Sequence, residues 1–236
     1  MMFFRYLIIT LLLNFIFIEV YCQANLPTHS PIAIESTTLD TIKLEKKYMT
    51  IDVLWLNDTI RVSISRQGEK TDTSSYKQPK NKGYFASKGY FFTNEANIQN
   101  CFSYALEKYF ENSEDYSQNI FRETTNIDGV SLEKILNNYF KRISEFSTNP
   151  RKNLRKPISN DVLLAFVDNT GEIIHAVYYR DEIFYTKNGK LFQPDTFKYL
   201  NKFLQKNYGD TKQIIVYKID DERVKEACAI SASGSL

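Results

Sequence analysis

The sequence predicts an α+β fold, and three observations carry that prediction. Apolar residues recur at helical spacing in the middle of the chain, first at Phe102, Ala105, Leu106, Tyr109 and Phe110, then from Leu132 to Phe146. The last third reads as strands joined by short turns: DVLLAFVDN (161–169), EIIHAVYYR (172–180) and IFYTKNG (183–189). A separate hairpin pattern, IDVLWLNDTIRVSIS (51–65), precedes both and predicts a small β-rich N-terminal extension.

Residues 1–22 read as an export signal. MMFFR supplies a positive n-region through Arg5, and YLIITLLLNFIFI (6–18) is apolar apart from Thr10 and Asn14. That run is short for a bilayer span and has the length of a signal h-region. Cleavage is expected after Cys22 or Ala24, leaving a secreted or periplasmic protein. Lipidation at Cys22 is the weaker alternative, because Tyr21 is bulky where such sites want a small residue; an uncleaved anchor is the third reading. No later segment is apolar enough to cross a membrane, so no transmembrane segment is expected in the mature chain.

The formal net charge is +2, and loss of residues 1–22 removes one charge of each sign. A nearly neutral chain argues against a general nucleic-acid binder. Of the three cysteines, Cys101 and Cys228 remain after cleavage at Cys22. In an exported protein they are candidates for a disulfide. No clustered Cys and His ligands suggest a metal site, and no cofactor is implied.

In chain order, residues 23–48 begin polar and Pro-bearing and read as a linker. In the hairpin, Ile60, Val62 and Ile64 alternate with polar neighbours and Asn57-Asp58 supply the turn. Residues 66–90, rich in Gln, Lys, Ser, Thr and Gly, read as a long connector. Asn100 is a good N-cap and places Cys101 at the first position of a helix. A second helix is expected over 131–146, capped by Ser131, with Leu132, Ile135, Leu136, Tyr139, Phe140, Ile143 and Phe146 as its buried stripe. The loop 147–160 carries Arg151, Lys152, Arg155 and Lys156, which read as a solvated surface or as contacts to an anionic partner such as a cell-wall polymer. After the three strands come a helix around 195–207, a strand at 211–220 and a short helix at DERVKEACA, ahead of a tail. The expected division is 1–22 signal, 23–90 linker and hairpin, 91–220 catalytic domain and 221–236 tail.

The chemistry centres on Cys101 and His175. A thiol at a helix N-terminus is set up for a lowered pKa, since unpaired N–H groups and the helix dipole stabilise its thiolate. The chain has two histidines, and His175 falls within a predicted strand. A thiolate and an imidazole brought together are the parts of a cysteine nucleophile site.

NCFSYAL at the helix, HAVYY on the strand and YTKNG on the next strand, in that order, resemble the papain-like thiol hydrolases. The likeness is to the compact NlpC-type and CHAP-type cell-wall peptidases and amidases, and covers about 97–190. It implies a papain-like core, a nucleophile helix packed on an antiparallel sheet, with Cys101 attacking a carbonyl and His175 as base. It also implies a peptide or cell-wall substrate. Asn100 departs from the usual Asp before the nucleophile, and Phe102-Ser103 replace the usual Ser-Gly. The competing expectation is a non-catalytic secreted module on the same fold.

The remaining positions follow from local logic. Asn100 is either a cap or part of an oxyanion site, and Tyr104 lines the cleft or packs at the edge of the core. A turn centred on Asp181 sets His175 opposite Lys187, with Asn188 one step on. An amide oxygen suits the role of orienting the imidazole; a cation there would lower the imidazole pKa. Asn188-Gly189 is equally a turn dipeptide, and one residue of register reverses the assignment. The oligomeric state is not legible.

Overall fold

The computed structural model describes residues 30–45, 48–65, 99–118, 120–148, 158–190 and 192–233. The expected signal 1–22, the connector 66–90 and the cations of the basic loop lie outside them. The chain divides into a unit of residues 1–32 and a unit of residues 33–236; every element below belongs to the second.

Sheet A has four strands in the order β1-β2-β3-β4: β1 Ser36–Leu44, β2 Tyr48–Trp55, β3 Asp58–Ser65 and β4 Thr124–Ile127. The hairpin predicted from alternation is β2–β3, with Ile51, Val53, Trp55, Ile60 and Val62 buried. Its turn falls at Leu56-Asn57, one residue earlier than expected, with Leu56 at φ 53°. Two departures follow. Residues 36–44 are not linker but β1, an exposed edge strand. Its lack of a buried face removed the alternation that marks a strand. In addition, β4 comes from the expected catalytic region and pairs with β3, Val62 opposite Ile127. The hairpin is therefore part of a sheet shared with the rest of the unit.

Between β3 and sheet B lie α1 Cys101–Glu111, α2 Ile120–Glu123 and α3 Gly129–Tyr139. The expected helix 131–146 is half right. Asp128, not Ser131, is the N-cap, accepting from the Ser131 N–H at 2.7 Å. The Ser131 hydroxyl instead accepts from the Arg61 N–H. The helix ends at Tyr139, and Phe140–Ser147 is a strand, β5. Phe140 takes extended angles, φ −126° and ψ 144°. In FKRISEFS the helical stripe and a two-residue alternation coincide at Phe140 and Phe146. Pairing along the whole of the next strand decides between them.

Sheet B has six strands in the order β9-β8-β7-β6-β10-β5. They are β5, β6 Val162–Val167, β7 Ile173–Arg180, β8 Ile183–Lys187, β9 Pro194–Phe197 and β10 Gln213–Ile219. The predicted meander is thus present as β6–β7–β8, and all its pairings are antiparallel. The helix expected around 195–207 starts later, as α4 Leu200–Asn207, and α5 spans Asp221–Ser233. Val224 and Ala227 of α5 are buried, so the expected tail is largely a packed helix. Among the described residues no helix is long and apolar enough to cross a membrane.

The two faces of sheet B bury different partners. Val162, Leu164, Phe166, Val177, Phe184, Ile214 and Val216 form one face and pack on Leu200, Phe203 and Leu204 of α4. The other face meets α1: the Tyr109 ring contacts Tyr178 of β7 at 5.8 Å and Phe140 of β5 at 5.2 Å. The opposite side of α1 closes a second core, where Trp55 meets Phe110, Phe121 and Tyr139.

The β7–β8 turn is Asp181-Glu182, with φ of 50° and 63°. Two left-handed residues make the turn whose twist suits a tight hairpin. Ile183 then faces Arg180 and Tyr185 faces Tyr178, one residue away from the register expected for a turn centred on Asp181. Left-handed angles cost a side-chain-bearing residue roughly 1 kcal/mol that glycine avoids. Glu182→Gly is therefore expected to stabilise the protein by about 0.5–1 kcal/mol, read as a raised urea midpoint at unchanged slope.

Candidate active site

Cys101 opens α1 because Asn100 stops the chain in extended geometry, at φ −78° and ψ 172°, and caps the first turn. The Asn100 Oδ1 accepts from the Ser103 N–H and hydroxyl, each at 3.0 Å. Its Nδ2 donates to Asn126 Oδ1 at 3.1 Å and to the Ile127 carbonyl at 2.8 Å. With both amide protons engaged, Asn100 has none left for an oxyanion. Its role is the cap, and the oxyanion alternative is corrected.

Four N–H groups at a helix start lack helical partners. In α1 the Ser103 N–H goes to the cap side chain and the Tyr104 N–H to the Asn100 carbonyl. The N–H groups of Cys101 and Phe102 remain, and both act on the Cys101 sulfur, together with the N–H of Ala176 from β7. They do not lower the thiol below its ordinary range as expected. Burial outweighs them and pushes the pKa up to about 11. Cys101 is partly buried and free, as is Cys228 on α5, so the expected alternative of a bridge between them is not formed.

His175 lies on the other face of the sheet. Side chains alternate along a strand, so His175 shares the face of Val177, and Ala176 shares that of Tyr178. The imidazole is fully buried. It stacks on Tyr208 at 4.1 Å, with Phe166 and Phe203 within 6.0 Å. Its Nε2 hydrogen-bonds Thr186 Oγ1 at 2.8 Å, and its Nδ1 has no hydrogen-bond partner among the described residues. No nitrogen of His175 bonds Cys101. The expected thiol–imidazole pair is corrected: the order of the elements is present, but the parity of β7 separates the two groups. Desolvation lowers the His175 pKa to about 3 and keeps the ring neutral.

Asn188 does not orient the imidazole. Its Oδ1 accepts from the Tyr208 hydroxyl at 3.0 Å, so it holds the ring stacked on His175 rather than His175 itself. Tyr104 is buried, at 5% exposure, and packs as a core-edge aromatic instead of lining a cleft. Burial raises its hydroxyl pKa.

Lys187 is the residue whose importance the sequence understated. Phe184 and Thr186 of β8 face α4, through Phe197 and His175. Tyr185 contacts Tyr178, so Tyr185 and Lys187 face α1. The β7–β8 pairing runs from Ile183 opposite Arg180 to Tyr185 opposite Tyr178. The Lys187 side chain is fully buried. Its Nζ donates to the carbonyls of Gly189 at 3.1 Å and Lys190 at 2.9 Å. Gly189, at φ 93°, turns the chain back so that both carbonyls reach the ammonium. Burial lowers the Lys187 pKa to about 8, while its interaction with Cys101 raises it. Lys187 does not neighbour His175 as the expected register had it; it lies on the opposite, α1, face of the sheet. The one-residue register error obscured the face on which Lys187 lies.

Among the described residues no cluster of three or more His, Cys, Asp or Glu side chains converges. Chemically, the α1 face offers a partly buried thiol at a helix start and a buried lysine. No protein family, curated protein or solved structure matches the chain.

The His175 environment predicts an acid-labile fold. Its pKa is depressed in the folded state relative to about 6.5 when unfolded, so the unfolded chain binds the extra proton. Stability is complete above about 6.5 and falls as pH drops towards about 3. The expected slope from this group is up to about 1.4 kcal/mol per pH unit. In denaturant titrations across that window, His175→Phe should show a shallower loss than wild type.

Proposed function

We propose that this protein is an exported cysteine hydrolase with a papain-like core, cleaving an amide or peptide bond through a thioacyl intermediate on Cys101. The observation that carries the reading is the place of Cys101 at the first position of α1, where Asn100 caps the first turn. That thiol sits at the start of a helix seated on an antiparallel sheet. The sulfur bonds to the carbonyl carbon, the C–N bond breaks, and the amine departs with the thiol proton. Water then attacks the thioacyl carbon, releases the acid and returns a proton to sulfur. Backbone N–H groups beside the sulfur suit the oxyanion of both steps. Export rests on Arg5 and the apolar run 6–18. Peptides of the cell wall as substrate rest on that reading and on the resemblance of NCFSYAL, HAVYY and YTKNG.

A non-catalytic secreted module is the second reading. It is favoured by the contact between Cys101 and His175 that the fold does not make, and by a thiol that burial keeps protonated.

The two readings separate in one experiment. The mature protein is incubated with cell-wall stem peptides and with a peptide nitrile that captures nucleophilic thiols. The hydrolase reading expects peptide cleavage that falls to background in Cys101→Ser, and nitrile capture confined to Cys101. Cleavage unchanged in Cys101→Ser, or neither cleavage nor capture in the wild type, establishes the module. Mass spectrometry of the exported protein is expected to find a chain starting at Gln23 or Asn25. Exported material with Met1 intact overturns the export signal.

A further inference from the structure

We propose that the recess between α4 and the edge strand β9 binds an anionic polysaccharide, with Lys198, Lys202 and Lys206 taking its carboxylates and Tyr199 stacking on a sugar ring. This surface lies on the opposite face of sheet B from Cys101 and stands independently of the hydrolase reading.

The shape comes first. A recess of about 210 Å³ opens where β9, α4 and the end of β8 meet. Its apolar lining is aromatic: Phe197 of β9 stacks on Phe203 of α4, with ring centroids 3.8 Å apart and planes 4° apart. Phe203 also packs in the core of this face, so the fold fixes the lining in place.

Charge gives the recess its sign. Lys198, Lys202 and Lys206 all border it, and all three are exposed. Among the described residues neither Lys198 nor Lys202 has a carboxylate partner. The Lys202 Nζ sits instead 5.0 Å from the centre of the Tyr199 ring. Asp195 is the one acidic side chain bordering the recess among the described residues, and it accepts from the Thr196 N–H at 2.7 Å. The first turn of α4 carries no acidic residue. Lys202 and Lys206 stand one turn apart, about 6 Å along the axis, a spacing at which like charges destabilise a helix. A ligand with repeated negative charge relieves that repulsion.

The remaining groups favour a polysaccharide over other polyanions. Tyr199 is 68% exposed. An open aromatic face beside cations is a platform for the C–H groups of a sugar ring, whose slight positive charge suits the negative face of the ring. Asn188 borders the same recess and spends its Oδ1 on the Tyr208 hydroxyl at 3.0 Å. Its Nδ2 has no partner among the described residues and is a donor for a hydroxyl or carboxylate. A membrane surface calls for apolar side chains that protrude, whereas Phe203 is buried and Phe197 half-buried. A single nucleic-acid strand stacks successive bases on several platforms, and Tyr199 is the one exposed ring at this recess among the described residues.

The test is calorimetric titration of the full chain with polygalacturonate at low ionic strength, with neutral dextran as the uncharged control. Wild type is expected to bind polygalacturonate and not dextran. Replacing Lys198, Lys202 and Lys206 together by Ala is expected to weaken binding at least about tenfold, since three exposed charge contacts are lost at once. Tyr199→Ala is expected to weaken it about three- to tenfold. Asp195→Asn removes the opposing charge and is expected to tighten binding. A second triple, Lys43, Lys218 and Lys225 to Ala, removes the same charge from other exposed positions and is expected to bind within about twofold of wild type. All of these side chains are exposed, so the variants leave the buried core untouched. Absence of binding by wild type, equal weakening in the two lysine triples, or an unchanged affinity in the first triple overturns the proposal. So does lysine-dependent binding that is tighter to phosphatidylglycerol vesicles or to oligothymidylate, which would assign the surface to a membrane or to a nucleic acid.

Discussion

Asn100 is the joint on which the arrangement depends. One small side chain caps α1 through Ser103 and also bonds Asn126 and the Ile127 carbonyl of β4. The Asn100 N–H adds a bond to the Thr125 carbonyl at 2.9 Å. Sheet A is thereby pinned to the first turn of the helix that covers sheet B. A cap is worth about 1 kcal/mol to a helix; here its larger consequence is position. It sets where α1 starts along β7, and so where the Cys101 thiol lies on that face of the sheet. Because α1 is sandwiched between the cores around Trp55 and Tyr178, its start cannot slide without disturbing both.

The sheet buries two basic side chains on opposite faces and treats them differently. Among the described residues His175 hydrogen-bonds Thr186 and stacks on Tyr208. Desolvation lowers its pKa, so it is held neutral and adds no charge to the interior. Lys187 keeps its charge at neutral pH because two carbonyls and the Cys101 side chain compensate burial in part. Replacing a charge that costs free energy to bury by an apolar residue of similar volume is commonly neutral or stabilising. A lysine in such a place therefore calls for an explanation other than stability.

The parts of the fold legible in the sequence were those whose burial pattern is local. The meander β6–β7–β8, the hairpin β2–β3 and the start of α1 all followed from alternation, turn residues or a cap. What was not legible depended on pairing at a distance. β1 has no buried face of its own, and only β2 makes it a strand. The segment Phe140–Ser147 satisfies both periods at its aromatic positions, and only β10 selects the extended one. For the site, Cys101 at a helix start was readable from Asn100, whereas its environment was not. The helix-start N–H groups that favour the thiolate were anticipated, but the burial that overrides them was not.

The face of His175 is the point where sequence order and three-dimensional placement part. Element order says that the histidine strand lies beside the cysteine helix, and it does. Order says nothing of parity. In β7 the residues His175 and Val177 project to α4, with Tyr179 packed against the same core, and Ala176 and Tyr178 project to α1. Turning His175 towards Cys101 would require a one-residue slip, which moves every side chain of the strand to the opposite face. Val177 would leave a core in which it is wholly buried, and Tyr178 would lose both its contact with Tyr109 and its bond to Asp161. Burying a large apolar side chain is worth about 1.5–3 kcal/mol, so two or three such exchanges rival the entire stability of a domain, about 5–15 kcal/mol. No single hydrogen bond between a thiol and an imidazole, worth about 1 kcal/mol, offsets that. The packing of the sheet therefore decides which basic residue is buried on the α1 face, and that residue is Lys187.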